Sequence, residues 1–478
     1  MKVLFVASEV APYSKTGGLG DVAGALPAAL AARGHEVQVV TPRYGSVSTA
    51  GLGPAQTPLT LQFPFGPIIA RYRTVQLANR LQLIFVEEEE FFGSRPDLYG
   101  YPDDARRFGF FAMAALWHAR ASGFDPEVVH LNDWQPGLAA VALRTSFAIR
   151  ARCVTTIHNI AYQGNFPASA AGELAVPASM FNPQGVEFYG NFSFLKAALV
   201  YSDALTTVSP SYALEVQTPE GGSGLDGLLR HRRADFTGIL NGIDTQAWNP
   251  DADPLLPALF SRDDISGKEV CTRALLKEFG LSPGSRGPVF GSVGRMADQK
   301  GVELWQQQVQ VQLARGACAV VLGSGDKPLE EKWLQLAQQF PDRLGVKIGF
   351  DEGTAHRVEA GSDFFVMPSK FEPCGLNQMY SLRYGAVPIV RAVGGLRDTV
   401  VDLKSPHATG IVFEPYSAEA LGEACERAWD LWLDAPQLFA VRRRGMAQDF
   451  SWDRSAAEYE RVYAGRSPVD SAKLWAKQ

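Results

Sequence analysis

Two hydrophobic periods alternate along the first half of the chain. Short runs, "KVLFVAS", "EVQVVTP", "LQLIFVE", "EVVHLND" and "RCVTTIH", are apolar with few interruptions and read as strands buried on both faces. Between them lie helical patterns at 21–33, where Val22, Leu26 and Leu30 stack four apart, and at 103–120. The acidic run "EEEE" (87–90) that follows the third strand reads as a solvated loop without a role. The interval 242–286 is irregular and rich in Pro, Asp and Ser, the pattern of a connection. Strands then resume at 287–295, 318–326, 346–350, 363–369, 387–393 and 410–415 with helices between, and two further helices fall near 435–447 and 452–463. Strand–helix alternation predicts an α/β chain of two doubly wound domains with parallel sheets. Ligands of such sheets bind outside the carboxyl ends of the strands. The informative polar segments, "SKTGGLGD", "HLNDWQ", "IHNIAYQG", "SVGRMADQKG" and "SKFEPCGL", all fall there and are expected to line a cleft between the domains.

Composition narrows the function classes. The 478 residues are 46% hydrophobic and 20% charged, ordinary for a globular protein and too many for one core. A net charge of -6 argues against a nucleic-acid binder and gives no reason to expect an anionic membrane surface. No run approaches the ~18 apolar residues of a membrane span. Five scattered cysteines without a CxxC pair are neither a disulfide framework nor a zinc site, so a reducing, cytoplasmic location is expected, or the plastid stroma if a transit peptide has been removed.

The glycine-rich "SKTGGLGDV" (14–22) is not a Walker A loop, which places lysine after its glycines, and it is not GxGxxG. It reads either as a plain tight turn or as backbone amides offered to an anion at a helix start. In "GRMADQKG" (294–301), Arg295 and Lys300 are surface charges or a pair of cations for a diphosphate. Glu372 precedes a helix beginning near Gly375 and could accept sugar hydroxyls. Cys374 has no neighbouring His and reads as a small packing residue. His158 stands at a strand end, where a lone histidine is usually structural. "DAD" (251–253) matches an Asp-x-Asp metal signature but lies in the irregular connection, so no metal site is expected from it.

Taken together, "KTGGLGDV", "IHNIAYQG", "FLKAALVYSDALTTVSPSYALEVQTPE", "GLDGLL", "LNGID", "GRMADQKG", "LGSGD", "SKFEPCGLNQMY" and "GGLRDTV", in this order and at these separations, make the chain resemble the bacterial glycogen synthases and plant starch synthases of glycosyltransferase family 5 from Met1 to about Tyr463. The resemblance implies the GT-B architecture, two Rossmann-like domains facing a deep cleft. The expected boundaries are 1–241 for the acceptor-side domain, 242–450 for the nucleotide-sugar domain, and 451–478 for a C-terminal helix crossing back to the first. It also implies transfer of glucose from ADP-glucose to the non-reducing end of an α-1,4-glucan with retention, without a cofactor or required metal.

By the same resemblance, Arg295 and Lys300 grip the diphosphate, and Glu372 with the backbone of Cys374, Gly375 and Leu376 holds glucose opposite His158. Lys15, Gly17 and Gly18 belong to the cleft wall, Asp21 to the nucleotide end, Asn241 to the hinge edge, and Asp133 to the acceptor side. Phe350 falls where relatives carry a tyrosine stacked on adenine. Gln135, Asn377, Ser381 and the glutamine-rich helix 301–316 depart from the family pattern, while Tyr380 in the second acidic position of the wider superfamily does not. A UDP-sugar transferase of the sucrose synthase kind would not be expected to carry "KTGGLGDV", and a glucan phosphorylase would need a pyridoxal-phosphate lysine. Intact Lys15, Arg295, Lys300 and Glu372 speak against a silent glucan-binding homologue.

Overall fold

The computed structural model describes residues 1–147, 149–282 and 287–466. The end of the expected connection (283–286) and most of the segment expected beyond the last helix (467–478) lie outside the described residues. The chain divides into two compact units, one comprising Met1–Gly242 and the segment that begins at Trp452, the other Ile243–Ser451.

The first unit's main strands are β1 (Lys2–Val6), β2 (Glu36–Pro42), β3 (Leu59–Phe63), β4 (Gly66–Ala78), β5 (Leu81–Glu87), β6 (Val128–Asn132) and β7 (Arg152–Ile157). A small antiparallel sheet of β8 (Asn165–Pro167), β9 (Glu187–Phe188) and β10 (Asn191–Ser193) follows, then β11 (Ala204–Thr207) and β12 (Phe236–Gly238). The nine-stranded sheet runs β12-β11-β7-β6-β1-β2-β5-β4-β3 and is parallel from β12 to β5. Its last two strands are an antiparallel hairpin that the helix–strand alternation did not predict. One face of β4 is solvated, so it lacks the continuous apolar run of a buried parallel strand.

The acidic run is not a loose loop. Glu87 pairs with Arg43 at 2.7 Å and Arg73 at 3.0 Å. Glu88 accepts the Phe91 N–H at 2.6 Å and caps the turn Glu89–Gly93. The neighbouring arginines lie far away in sequence, so the run alone could not reveal these partners.

The helix Trp452–Tyr463 completes the first unit. Trp452, Ala456, Tyr459 and Tyr463 recur at helical spacing and join Val3, Phe5, Leu26, Leu30 and Val39 in one core. Arg33 holds its outer face, with two bonds of 2.9 Å to Glu460 and one of 2.8 Å to Asp453.

The second unit has one parallel sheet, with strands β13 (Val289–Val293), β14 (Cys318–Gly323), β15 (Leu344–Ile348), β16 (Phe364–Met367), β17 (Val387–Arg391) and β18 (Ile411–Phe413) in the order β15-β14-β13-β16-β17-β18. β15 stops at Ile348, so Phe350 lies past the strand rather than in it. The irregular connection contains a helix, Ser266–Glu278, that the Pro- and Asp-rich composition around it masked. Asp253 of "DAD" is buried and binds His356 Nδ1 at 2.7 Å and the Tyr384 hydroxyl at 2.6 Å, which gives it a part in packing.

The glutamine-rich helix Val302–Ala314 turns some of its amides into the core. Gln306 donates to the Leu329 carbonyl at 2.9 Å, and Gln312 accepts from Trp429 Nε1 at 2.8 Å. Both glutamines are fully buried, and these bonds offset part of the cost of burying them.

Candidate functional site

Each unit gathers candidate residues at its topological switch point. In the first sheet the chain runs outward from β1 to β2 and returns to place β6 on β1's other side, so the carboxyl ends of β1 and β6 flank the reversal. The turn after β1 carries Lys15, Gly17 and Gly18, and the exits of β6 and β7 carry Asp133 and His158.

The glycine loop is organised by a residue the motif reading passed over. Glu9, 3% exposed, accepts the Thr16 N–H at 2.6 Å, the Thr16 hydroxyl at 2.7 Å and the Gly17 N–H at 3.3 Å. The Tyr99 hydroxyl donates to the same carboxylate at 2.7 Å. Two of the amides expected to await an anion are thus already bound to the chain's own carboxylate. The helix begins at Gly18, three residues before the periodicity suggested, because glycines carry no hydrophobic signal. A Cβ at Gly17 or Gly18 would meet open space, whereas one at Gly20 would press on Lys15 and the Ser14 carbonyl. Gly20 therefore serves packing, and the first two glycines leave room beside the loop. Lys15 Nζ is bonded to Asp21 at 2.6 Å across this turn. Glu9 was legible only as a polar residue just past a strand end.

Asp133 and His158 form one cluster. Asp133 sits at φ 58° and accepts the N–H groups of His158 (2.7 Å) and Asn159 (3.3 Å). Burial pushes its carboxyl up to about 7, and the nearby Glu9 charge adds to the effect. His158 Nε2 lies 3.0 Å from Asn132 Oδ1, and Asn132 Nδ2 donates to the Val6 carbonyl. Asn132 Oδ1 can therefore only accept, so His158 donates from Nε2 and presents a bare Nδ1. Burial holds the ring neutral, with its pKa lowered to about 3. Asn241 is buried, and its Oδ1 has no hydrogen-bond partner among the described residues.

In the second sheet the reversal lies between β13 and β16. Lys300, in the short turn Asp298–Lys300 after β13, donates to Glu372 Oε2 at 2.6 Å, and Ser369 donates to the same oxygen at 3.1 Å. Glu372 is 5% exposed, and its Oε1 takes no hydrogen bond among the described residues. Arg295 is exposed and forms no ion pair among them, so the two cations read from "GRMADQKG" sit differently, one anchored and one free to reach. Asn377 Nδ2 donates to the Val293 carbonyl at 2.7 Å and ties the next helix to β13. That helix starts at Asn377 rather than near Gly375, because Gly375 takes φ 72°, outside the helical region. Cys374 is buried like the other four cysteines, and none is disulfide-bonded. Phe350 is 71% exposed beyond the edge strand β15 and presents an open ring face. Among the described residues no group of three or more His, Cys, Asp or Glu could hold a metal ion, and no helix is long and apolar enough to cross a membrane.

Residues 2–231 match the family model for the starch synthase catalytic domain, and residues 278–437 that for glycosyl transferases group 1. The chain is 52% identical to the glycogen synthase of Myxococcus xanthus over 97% of its own length and 99% of that protein. It is 51% identical to the glycogen synthase of Anaeromyxobacter dehalogenans, covering 98% and 100%. Among solved structures, the catalytic domain of starch synthase IV from Arabidopsis thaliana, bound to ADP and acarbose, matches with a TM-score of 0.91 at 35% identity, covering 97% of this chain and 98% of that one. A sucrose-phosphate synthase from Thermosynechococcus elongatus shares the fold, with a TM-score of 0.61 at 18% identity. The two doubly wound units are those of the GT-B class, and the chain belongs to the glycogen synthase family of glycosyltransferases.

Proposed function

We propose that this chain transfers glucose from ADP-glucose to the non-reducing end of an α-1,4-glucan with retention of configuration. The Lys300–Glu372 pair at the switch point of the second sheet carries this reading. Cleaving the bond to ADP builds negative charge on the diphosphate and positive charge at the anomeric carbon. Lys300, fixed by Glu372, and the unpaired Arg295 supply cations for that leaving group, and a fixed donor of this kind is worth ~3–4 kcal/mol. Glu372 Oε2 is engaged, which leaves Oε1 to accept a sugar hydroxyl. The exposed ring of Phe350 offers a stacking face to adenine.

Two carboxylates flanking the anomeric carbon would suit double displacement. Glu372 is committed to Lys300 and Ser369, and Asp133 to the amides of His158 and Asn159. That supports a front-face course, in which the departing ADP oxygen takes the acceptor's proton. His158, neutral and donating through Nε2 to Asn132, serves by shape and by its bare Nδ1 rather than by charge. Five cysteines without a disulfide support a reducing compartment, the cytoplasm.

The test is release of ADP from ADP-glucose in the presence of glycogen, with NMR of the new linkage. Glycogen-dependent ADP release and an α-1,4 product are expected. No release with any glucan would overturn the reading.

A further inference from the structure

The motif "GGLRDTV" (394–400) follows β17 and has no substrate role assigned to it, yet it is built against the loop that holds Glu372. A Cβ at Gly394 would run into the Glu372 carbonyl, and one at Gly395 into the Cys374 carbonyl. Gly395 N–H donates to that Glu372 carbonyl at 3.1 Å. The Thr399 hydroxyl donates to the Gly395 carbonyl at 2.6 Å, so its oxygen is left to accept. Gln378 Nε2 donates to it at 3.2 Å, and also to the carbonyls of Cys374 at 3.1 Å and Gly375 at 2.9 Å. All three partners are acceptors here, which fixes the side-chain amide's orientation. Gln378 is fully buried, and its Oε1 has no hydrogen-bond partner among the described residues. An unsatisfied buried acceptor is a cost that packing alone gives no reason to keep.

Peptide planarity turns this clamp into a statement about the site. In a trans peptide the N–H points opposite to the preceding carbonyl. With the Cys374 and Gly375 carbonyls both drawn towards Gln378, the N–H groups of Gly375 and Leu376 face the other way. Neither donates to an acceptor among the described residues. Gly375 at φ 72° followed by Leu376 at φ -116°, ψ -34° is the left-handed–right-handed sequence that brings successive N–H groups into one concavity.

We propose that Gln378 and Thr399 are positioning residues that aim the Gly375 and Leu376 N–H groups at oxygens of the donor's glucosyl group. This rests on the reading of the chain as an ADP-glucose transferase. The two residues act through backbone and do not touch the donor.

The test compares ADP-glucose with ADP, which lacks the glucosyl group. Gln378→Met keeps the side chain's length and removes the donor. It should lower kcat/KM for ADP-glucose by about ten- to hundredfold, as for a misplacement of under about 1 Å, while the calorimetric Kd for ADP stays at the wild-type value. Thr399→Val should do the same to a smaller degree, and Thr399→Ser, which keeps the hydroxyl, should recover most of the loss. Equal weakening of ADP and ADP-glucose would overturn the proposal, as would wild-type kinetics in Gln378→Met. If Gln378→Met does not fold, the Thr399 pair decides: kinetics of Thr399→Val equal to wild type would overturn it, and a selective loss reversed in Thr399→Ser would support it. A wild-type protein that releases no ADP would sink the reading of function instead.

Discussion

Lys300 Nζ lies 2.6 Å from Glu372 Oε2 and joins the turn after β13 to the turn after β16 where chain order reverses in the second sheet. Neither residue is placed by its own helix. Each is set by the exit of a central strand, and a second hydrogen bond, from Ser369, fixes the carboxylate. Glu372→Gln keeps the shape, removes the charge and leaves Lys300 without its partner. Glycogen-dependent ADP release should fall on the order of a hundredfold or more, with the fold retained by circular dichroism. Lys300→Met should lower kcat comparably. Near-normal kcat in both variants would remove the pair from the site.

Glu9 gathers three donors of the glycine loop and the Tyr99 hydroxyl on one carboxylate. Hydrogen bonds to a charged group contribute about 1.5–3 kcal/mol each. Glu9→Ala should therefore free the loop, raising KM for ADP-glucose about tenfold or more and exposing the peptide bond after Lys15 to trypsin. Unchanged KM with an unchanged cleavage pattern would mean that the loop holds its shape without Glu9.

An exposed ring at Phe350 has little to lose in stability and much to offer a base. Phe350→Ala should raise KM for ADP-glucose several-fold, since an aromatic pair contributes ~0.5–1.5 kcal/mol beyond area burial. Preference for ADP-glucose over UDP-glucose should narrow in the variant, because a purine presents the larger face. Comparing kcat/KM for both donors decides it, and an unaltered preference would take Phe350 out of donor binding.

Burial makes stability fall in acid. His118, His130 and His158 are held neutral, with pKa values lowered to about 4, 3 and 3 from 6.5. Below pH 6.5 the unfolded chain takes up protons that the native chain refuses, so each histidine removes stability as pH falls towards its native value. Asp133 acts in the opposite sense. Its carboxyl, raised to about 7 from 3.8, holds a proton in the native state that the unfolded chain gives up, so it adds stability as pH falls from 7 towards 4. The melting temperature should drop between pH 7 and 5, and drop more steeply in Asp133→Asn, which lacks the opposing group. Parallel curves for the two proteins would contradict a raised Asp133.

Tyr459 is fully buried where the last helix meets the first unit's core. Tyr459→Ala should cost about 3–5 kcal/mol, read as a lower denaturant midpoint. A loss under about 1 kcal/mol would show that the helix adds little to that core.

Much of this protein was decided by local pattern. Continuous apolar runs such as "KVLFV" and "CAVVLG" can only be covered on both faces, so parallel strands and intervening helices follow from periodicity. Polar residues at the ends of those runs marked both switch points, and the order of the motifs identified the family. Pairings that depend on residues distant in sequence could not be read this way. Arg43 and Arg73 give the acidic run its role, Glu9 occupies the Thr16 and Gly17 amides of the glycine loop, and Trp452–Tyr463 closes a core begun at Val3. In each case the deciding partner is fixed by which strands lie side by side. Strand order depends on how the whole chain buries its apolar surface, so only the tertiary structure sets it.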